Sequence, residues 1–141
     1  MHIDESMKSV FFYGLFMDAD LLKKKGLNLL DPTLVYATGY GLRIGERATL
    51  ERSKDERAYG SVMQLPRKEL EVLYGEKSVE DYVPNNIVTT DMKGNSREAI
   101  SYILPMEQVS GSNGEYANSL AITARKIGLP SHYIKEIEAW V

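Results

Sequence analysis

The sequence predicts an α+β fold on three observations: six or seven short strand-like runs, four short helical stretches mixed among them, and no regular strand–helix–strand alternation of a doubly wound sheet. The first strand is Val10-Phe11-Phe12-Tyr13, β-branched and aromatic residues halted by Gly14. A short helix follows over Asp18 to Lys25, with acids at its start, lysines at its end and Gly26 beyond, the charge order a helix dipole favours. Lys23 to Lys25 therefore read as a solvated helix end, since a basic binding patch would interleave its cations with aromatic residues. Leu34 to Ala37, Tyr40 to Ile44 and Ala48 to Leu50 form a meander of short strands, separated by glycines and by the Gly45-Glu46-Arg47 turn. The polar stretch Ser53 to Arg57 reads as a loop, and Tyr59 to Leu65 alternates as a half-buried strand.

Pro66 opens a second helix, in which Leu70, Leu73 and Tyr74 share a face, and Gly75 ends it. Tyr82 to Thr90 and Ala99 to Leu104 make a β-hairpin around Lys93-Gly94-Asn95. Ser110 to Gly114 is a small-residue surface loop before a helix from about Glu115 to Ile127, which Gly128-Leu129-Pro130 closes. Ser131 caps a last helix carrying Tyr133, Ile134 and Ile137, and Trp140 beyond it is expected to pack back on the body.

The 141 residues, 43% hydrophobic and 26% charged, suit one globular domain over 1-141 that closes a core without a disulfide or a metal. With 17 Lys plus Arg against 20 Asp plus Glu the net charge is −3, which argues against a nucleic-acid partner. The lack of cysteine removes thiolate nucleophiles and zinc–thiolate cages. No apolar run approaches the ~20 residues of a membrane span, and Met1 to Lys8 holds no apolar leader segment, so a cytoplasmic protein with no membrane partner is expected.

Gly39-Tyr40-Gly41-Leu42-Arg43-Ile44-Gly45 has its third glycine one residue late and no helix after it, which excludes a dinucleotide loop. His2 and His132 lack the spacing of a catalytic triad or a metal site, so an enzyme built from this chain would use a carboxylate as its base. Two features remain. Tyr13-Gly14-Leu15-Phe16-Met17 can turn backbone N–H groups toward a carboxylate or oxyanion, or serve only as a tight turn. The junction from Leu73 to Tyr82 carries Glu76, Glu80 and Asp81, either as solvated side chains or with one of them pointing back over the sheet after Gly75.

Taken in order, these pieces resemble the gamma-glutamylcyclotransferase family, including its AIG2-like members, over most of the chain. Tyr13-Gly14-Leu15-Phe16 is similar to the family's Tyr-Gly-Ser-Leu loop, with Leu15 in place of serine and Phe16 in place of leucine. Tyr59 to Leu65 resembles a family strand, and Gly128-Leu129-Pro130-Ser131-His132-Tyr133 its Gly-Leu-Pro-x-x-Tyr segment. An ungapped overlay of the family's Leu-Asp-x-Tyr-Glu-Gly on Leu70 to Gly75 puts Tyr74 where the acid/base glutamate belongs. Leu73 to Pro84 is similar to a bacterial branch, Leu-Tyr-x-Glu-x-Ser-Val-x-Asp-Tyr-x-Pro, which makes Glu76 the candidate base and leaves Glu80 and Asp81 as fallbacks.

The resemblance implies a mixed sheet curled into a small barrel with helices around it and a polar cavity at one mouth. It implies cyclisation of a small gamma-glutamyl amide or peptide to 5-oxoproline with release of the amine, without cofactor or metal. Glu76, partly buried, would move the protons, while Tyr13, Gly14, Leu15, Phe16 and Tyr82 would bind the substrate. The alternative is a non-catalytic small-molecule binding protein that keeps the family pocket, which Tyr74 in the glutamate position and a pocket narrowed by Phe16 both fit. A structural interaction domain with a filled cavity is a third reading. No motif specifies the leaving amine or the oligomeric state.

Overall fold

The computed structural model describes residues 7–141, so His2 lies outside it. Strand β1, Met7–Phe12, runs through the middle of the core: Val10, Phe11 and Phe12 are all buried, as befits a strand apolar on both faces. A 3-10 turn at Leu15–Met17 leads into α1, Ala19–Lys24, where the Asp18 carboxylate accepts from the Asp20 N–H as an N-cap. Strands β2, Leu30–Ile44, and β3, Ala48–Pro66, then form one long hairpin. Helix α2, Arg67–Leu73, starts directly after Pro66 and buries Leu70 and Leu73. The β4–β5 hairpin, Val83–Asp91 and Ser96–Ile103, turns where Asp91 accepts from the N–H groups of Lys93 and Asn95.

The five strands close into a barrel in the order β1-β3-β2-β4-β5. Only the β1–β5 contact is parallel, so the ring joins a largely antiparallel sheet through one parallel seam. Helices α3, Gly114–Ile127, and α4, Ser131–Glu138, pack together and add Leu120, Tyr133 and Ile137, all fully enclosed, to the core. Truncating one of these, as in Leu120→Ala, costs about 2–5 kcal/mol because the surroundings collapse only partly into the space left. No described helix is long and apolar enough to cross a membrane.

The expected meander of short strands is corrected to two long ones, and the described chain has five strands rather than six or seven. Ser53 to Arg57, expected as a loop, lies inside β3. The glycines and charges that suggested breaks mark an irregularity instead: Thr38 opposes Arg57 and Tyr40 opposes Arg52, leaving Ser53 to Glu56 with only Gly39 across from them. Gly39 adopts φ +90°, a backbone shape that other residues resist. The bulge is held by Arg43, which donates to both carboxylate oxygens of Glu56 at 3.2 and 2.7 Å and to Glu51 at 2.9 Å.

Two smaller expectations also change. Pro130, not Ser131, is the N-cap of α4, where a rigid φ replaces a side-chain cap. Trp140, expected to pack back on the body, remains 41% exposed.

Candidate functional site

The bulge lets the β2–β3 hairpin bring its far end to the barrel mouth where β1 and β5 finish. Thr49 fastens it, donating from its hydroxyl to the Leu104 carbonyl at 2.6 Å and accepting from the Leu104 N–H at 2.9 Å. The Glu46 N–H donates to the Ser110 carbonyl at 2.7 Å, and the Tyr82 hydroxyl to the Ala48 carbonyl at 2.5 Å. These bonds pair groups that burial would otherwise leave costly, and they fix Arg47 and Ala48 at the mouth.

A cavity of about 280 Å³ opens there. Its floor is Phe12, Tyr13 and the Gly14-Leu15-Phe16 turn, and its walls are Tyr74, Ser78, Val79, Tyr82, Tyr102 and Tyr116, with Arg47 and Ala48 from the hairpin end. The structure thus brings Tyr13, Gly14, Leu15, Phe16 and Tyr82 together around one space. It does not place Glu76 among them. The Glu76 side chain is partly buried, 41% exposed, and takes an ion pair from Lys25 at 3.3 Å, a contact with the end of α1 rather than with the cavity. Asp81 also stands outside, accepting from Arg47 at 3.2 Å, and Glu80 is exposed.

The walls are aromatic and mutually braced. Tyr74 stacks on Tyr102 with centroids 3.8 Å apart and planes 8° from parallel, and Phe16 meets Tyr74 edge-on at 6.0 Å. Tyr13 donates to the Tyr102 carbonyl at 2.7 Å. Gly14 is needed for close approach: a Cβ there would stand 2.7 Å from the Tyr116 hydroxyl, which descends from the first turn of α3. That hydroxyl accepts from the Leu15 N–H, so its own proton remains free to donate. Among the described residues no backbone carbonyl accepts from the N–H of Gly14, Leu15 or Phe16.

Burial pushes the Tyr13, Tyr74 and Tyr116 phenols well above the usual tyrosine range, and in each case a neighbouring Tyr82 adds to the rise. Burial also lifts Tyr82, to about 12, against the lowering pull of the Arg47 guanidinium. At neutral pH every one of these groups is a neutral hydrogen-bond donor. Among the described residues the cavity is lined by one charged side chain, the Arg47 cation, and by no carboxylate.

Sequence reasoning missed Arg47, Tyr102 and Tyr116. One signal was present: the chain has 9 Tyr against 3 Phe and 1 Trp, an excess of aromatic residues that carry a polar end, and five of the nine meet at this cavity.

No family model and no curated protein sequence matches the chain. Solved structures do. An uncharacterized human protein superposes with a TM-score of 0.78 at 17% identity, over 96% of this chain and 89% of that one. A gamma-glutamyl cyclotransferase gives 0.77 at 16% identity, over 96% and 88%. A mouse AIG2-like protein gives 0.61 at 13% identity, over 81% and 93%. At these identities the likeness is one of fold, and the chain has the mixed-barrel α+β fold of gamma-glutamyl cyclotransferase and AIG2-like proteins.

Proposed function

We propose that the chain binds a small carboxylate-bearing molecule in this cavity and does not cyclise it. The observation that carries the proposal is that no carboxylate of the described residues lines the cavity, while Tyr74 stands where the sequence resemblance puts the glutamate. Cyclisation of a gamma-glutamyl amide needs a base to take a proton from the α-ammonium before its nitrogen attacks the γ-carbonyl, and an acid to protonate the leaving amine. A phenol whose ionisation is pushed far above neutrality offers no such base. What the cavity does offer suits retention: unpaired N–H groups at Gly14 and Phe16, phenolic donors, and Arg47 for a negative charge. Its volume suits a metabolite smaller than a drug-sized ligand, whose sites begin at about 300 Å³.

The competing reading is cyclisation with Glu76 as base, supported by the fold likeness and by the bacterial Leu-Tyr-x-Glu pattern. It requires the Glu76 carboxylate to leave Lys25 and enter a cavity it does not line. Equilibrium titration with gamma-glutamyl dipeptides and amides and with simple dicarboxylates, coupled to mass spectrometry for 5-oxoproline, separates the two. The expected result is saturable binding without product. Product formation that is lost in Glu76→Gln would overturn the proposal in favour of the enzyme.

A further inference from the structure

We propose that the ligand of this cavity is a carboxylate with an apolar or planar body and no ammonium group; the inference rests on the binding reading above and specifies its ligand. It follows from a census of hydrogen-bond donors and acceptors around the space. On the donor side, the hydroxyls of Tyr74 and Tyr116 line the cavity and donate to no described protein group. The Arg47 guanidinium has five N–H groups, of which it gives one to the Ser78 carbonyl at 3.2 Å and one to Asp81 at 3.2 Å. The N–H groups of Gly14 and Phe16 add to these, whereas that of Leu15 is given to the Tyr116 hydroxyl.

On the acceptor side only neutral oxygens remain, the phenols and the Ser78 hydroxyl among them, and several carbonyls are already in use. The Tyr102 carbonyl accepts from Tyr13, the Ala48 carbonyl from Tyr82, and the Ser78 carbonyl from Arg47. Within the turn, the Gly14 carbonyl accepts from Met17 and the Leu15 carbonyl from Asp18. The nearby acids are also occupied, Asp81 by Arg47 and Glu76 by Lys25, and neither lines the cavity. Four of the lining rings that could hold a cation already have a partner on one face. Arg47 lies over Tyr82 and Lys25 over Phe16, each at 5.8 Å, and Tyr74 and Tyr102 cover each other. An ammonium entering this space loses its water, meets no carboxylate among the described lining residues and shares the space with the Arg47 cation, whereas a carboxylate gains a counter-charge and several donors.

Two compounds isolate that single group. Glutaric acid monoanilide and gamma-glutamylanilide share carboxylate, chain and aryl amide, and differ only in the α-ammonium. In isothermal titration of the whole chain at pH 7, the monoanilide is expected to bind about tenfold or more tightly than the glutamyl compound, the scale of one charged group left without a partner. Arg47→Gln and Tyr74→Phe, each checked for native far-UV and near-UV circular dichroism, are expected to weaken the monoanilide and narrow the ratio. Equal or tighter binding of gamma-glutamylanilide without product overturns the ligand class and leaves the binding reading standing. Release of 5-oxoproline from gamma-glutamylanilide overturns the binding reading, and the ligand class is then decided by whether the monoanilide inhibits at lower concentration than the glutamyl substrate's KM. Failure of both compounds to bind at millimolar concentration overturns both.

Discussion

Tyr74 lines the cavity as a neutral phenol that can give a hydrogen bond but cannot take a proton at neutral pH. Tyr74→Phe is therefore expected to leave the melting temperature nearly unchanged and to weaken ligand binding about five- to tenfold, the worth of one hydrogen bond, measured by titration calorimetry. The phenols also set an alkaline limit. Because their folded-state ionisation is raised above the usual 10.0, the stability they carry is complete below pH 10 and is lost as pH climbs from there through their folded values, that of Tyr82 being about 12. Melting temperature measured from pH 8 to 12 is expected to drop steeply above 10, and less steeply in Tyr74→Phe. At this scale the sequence pointed to the Gly14 turn and to Tyr82, because loop glycines and a motif tyrosine are local signals. It could not place Glu76, whose direction depends on Lys25, 51 positions earlier.

Arg43, Glu51, Glu56 and Ser53 make the β2–β3 bulge a charged clamp rather than a loop. Arg43 first, and the Ser53 hydroxyl second, hold the Glu56 carboxyl down at about 2. Its contribution is thus complete above the ordinary 4.5 and is lost as pH falls through 2. With the carboxylate partly exposed, solvent screening limits that contribution, so Glu56→Gln is expected to cost about 0.5–1 kcal/mol at pH 7 by urea denaturation, and nothing near pH 2. Helix ends and the β4–β5 turn were legible in the sequence because proline, glycine, Asp91 and terminal charges act within a few residues. The length of β2 and β3 was not. A four-residue insertion against one glycine looks like a loop until its partner strand is known, and strand pairing is a long-range property.

For the whole molecule, composition and the mixture of element types indicated α+β, but barrel closure was expected only through the family resemblance, since no periodicity reveals which strand meets β1. The structure answers with β5, through a parallel seam at Val10 and Ile100. One core cluster spans β1, the long hairpin, α2, α3 and α4, so we expect the chain to unfold as one unit. Far-UV and near-UV circular dichroism melts should then coincide, and separated transitions would indicate more than one domain. The same closure places five tyrosines and an arginine, drawn from segments far apart in sequence, around one space that no carboxylate of the described residues lines. The most direct test of the functional account is to incubate the purified chain with glutathione, gamma-glutamyl dipeptides and gamma-glutamyl amines and to measure 5-oxoproline by mass spectrometry, with Glu76→Gln alongside. The account predicts no product from any of them while the folded protein still binds carboxylate ligands. Product that disappears in Glu76→Gln would contradict it.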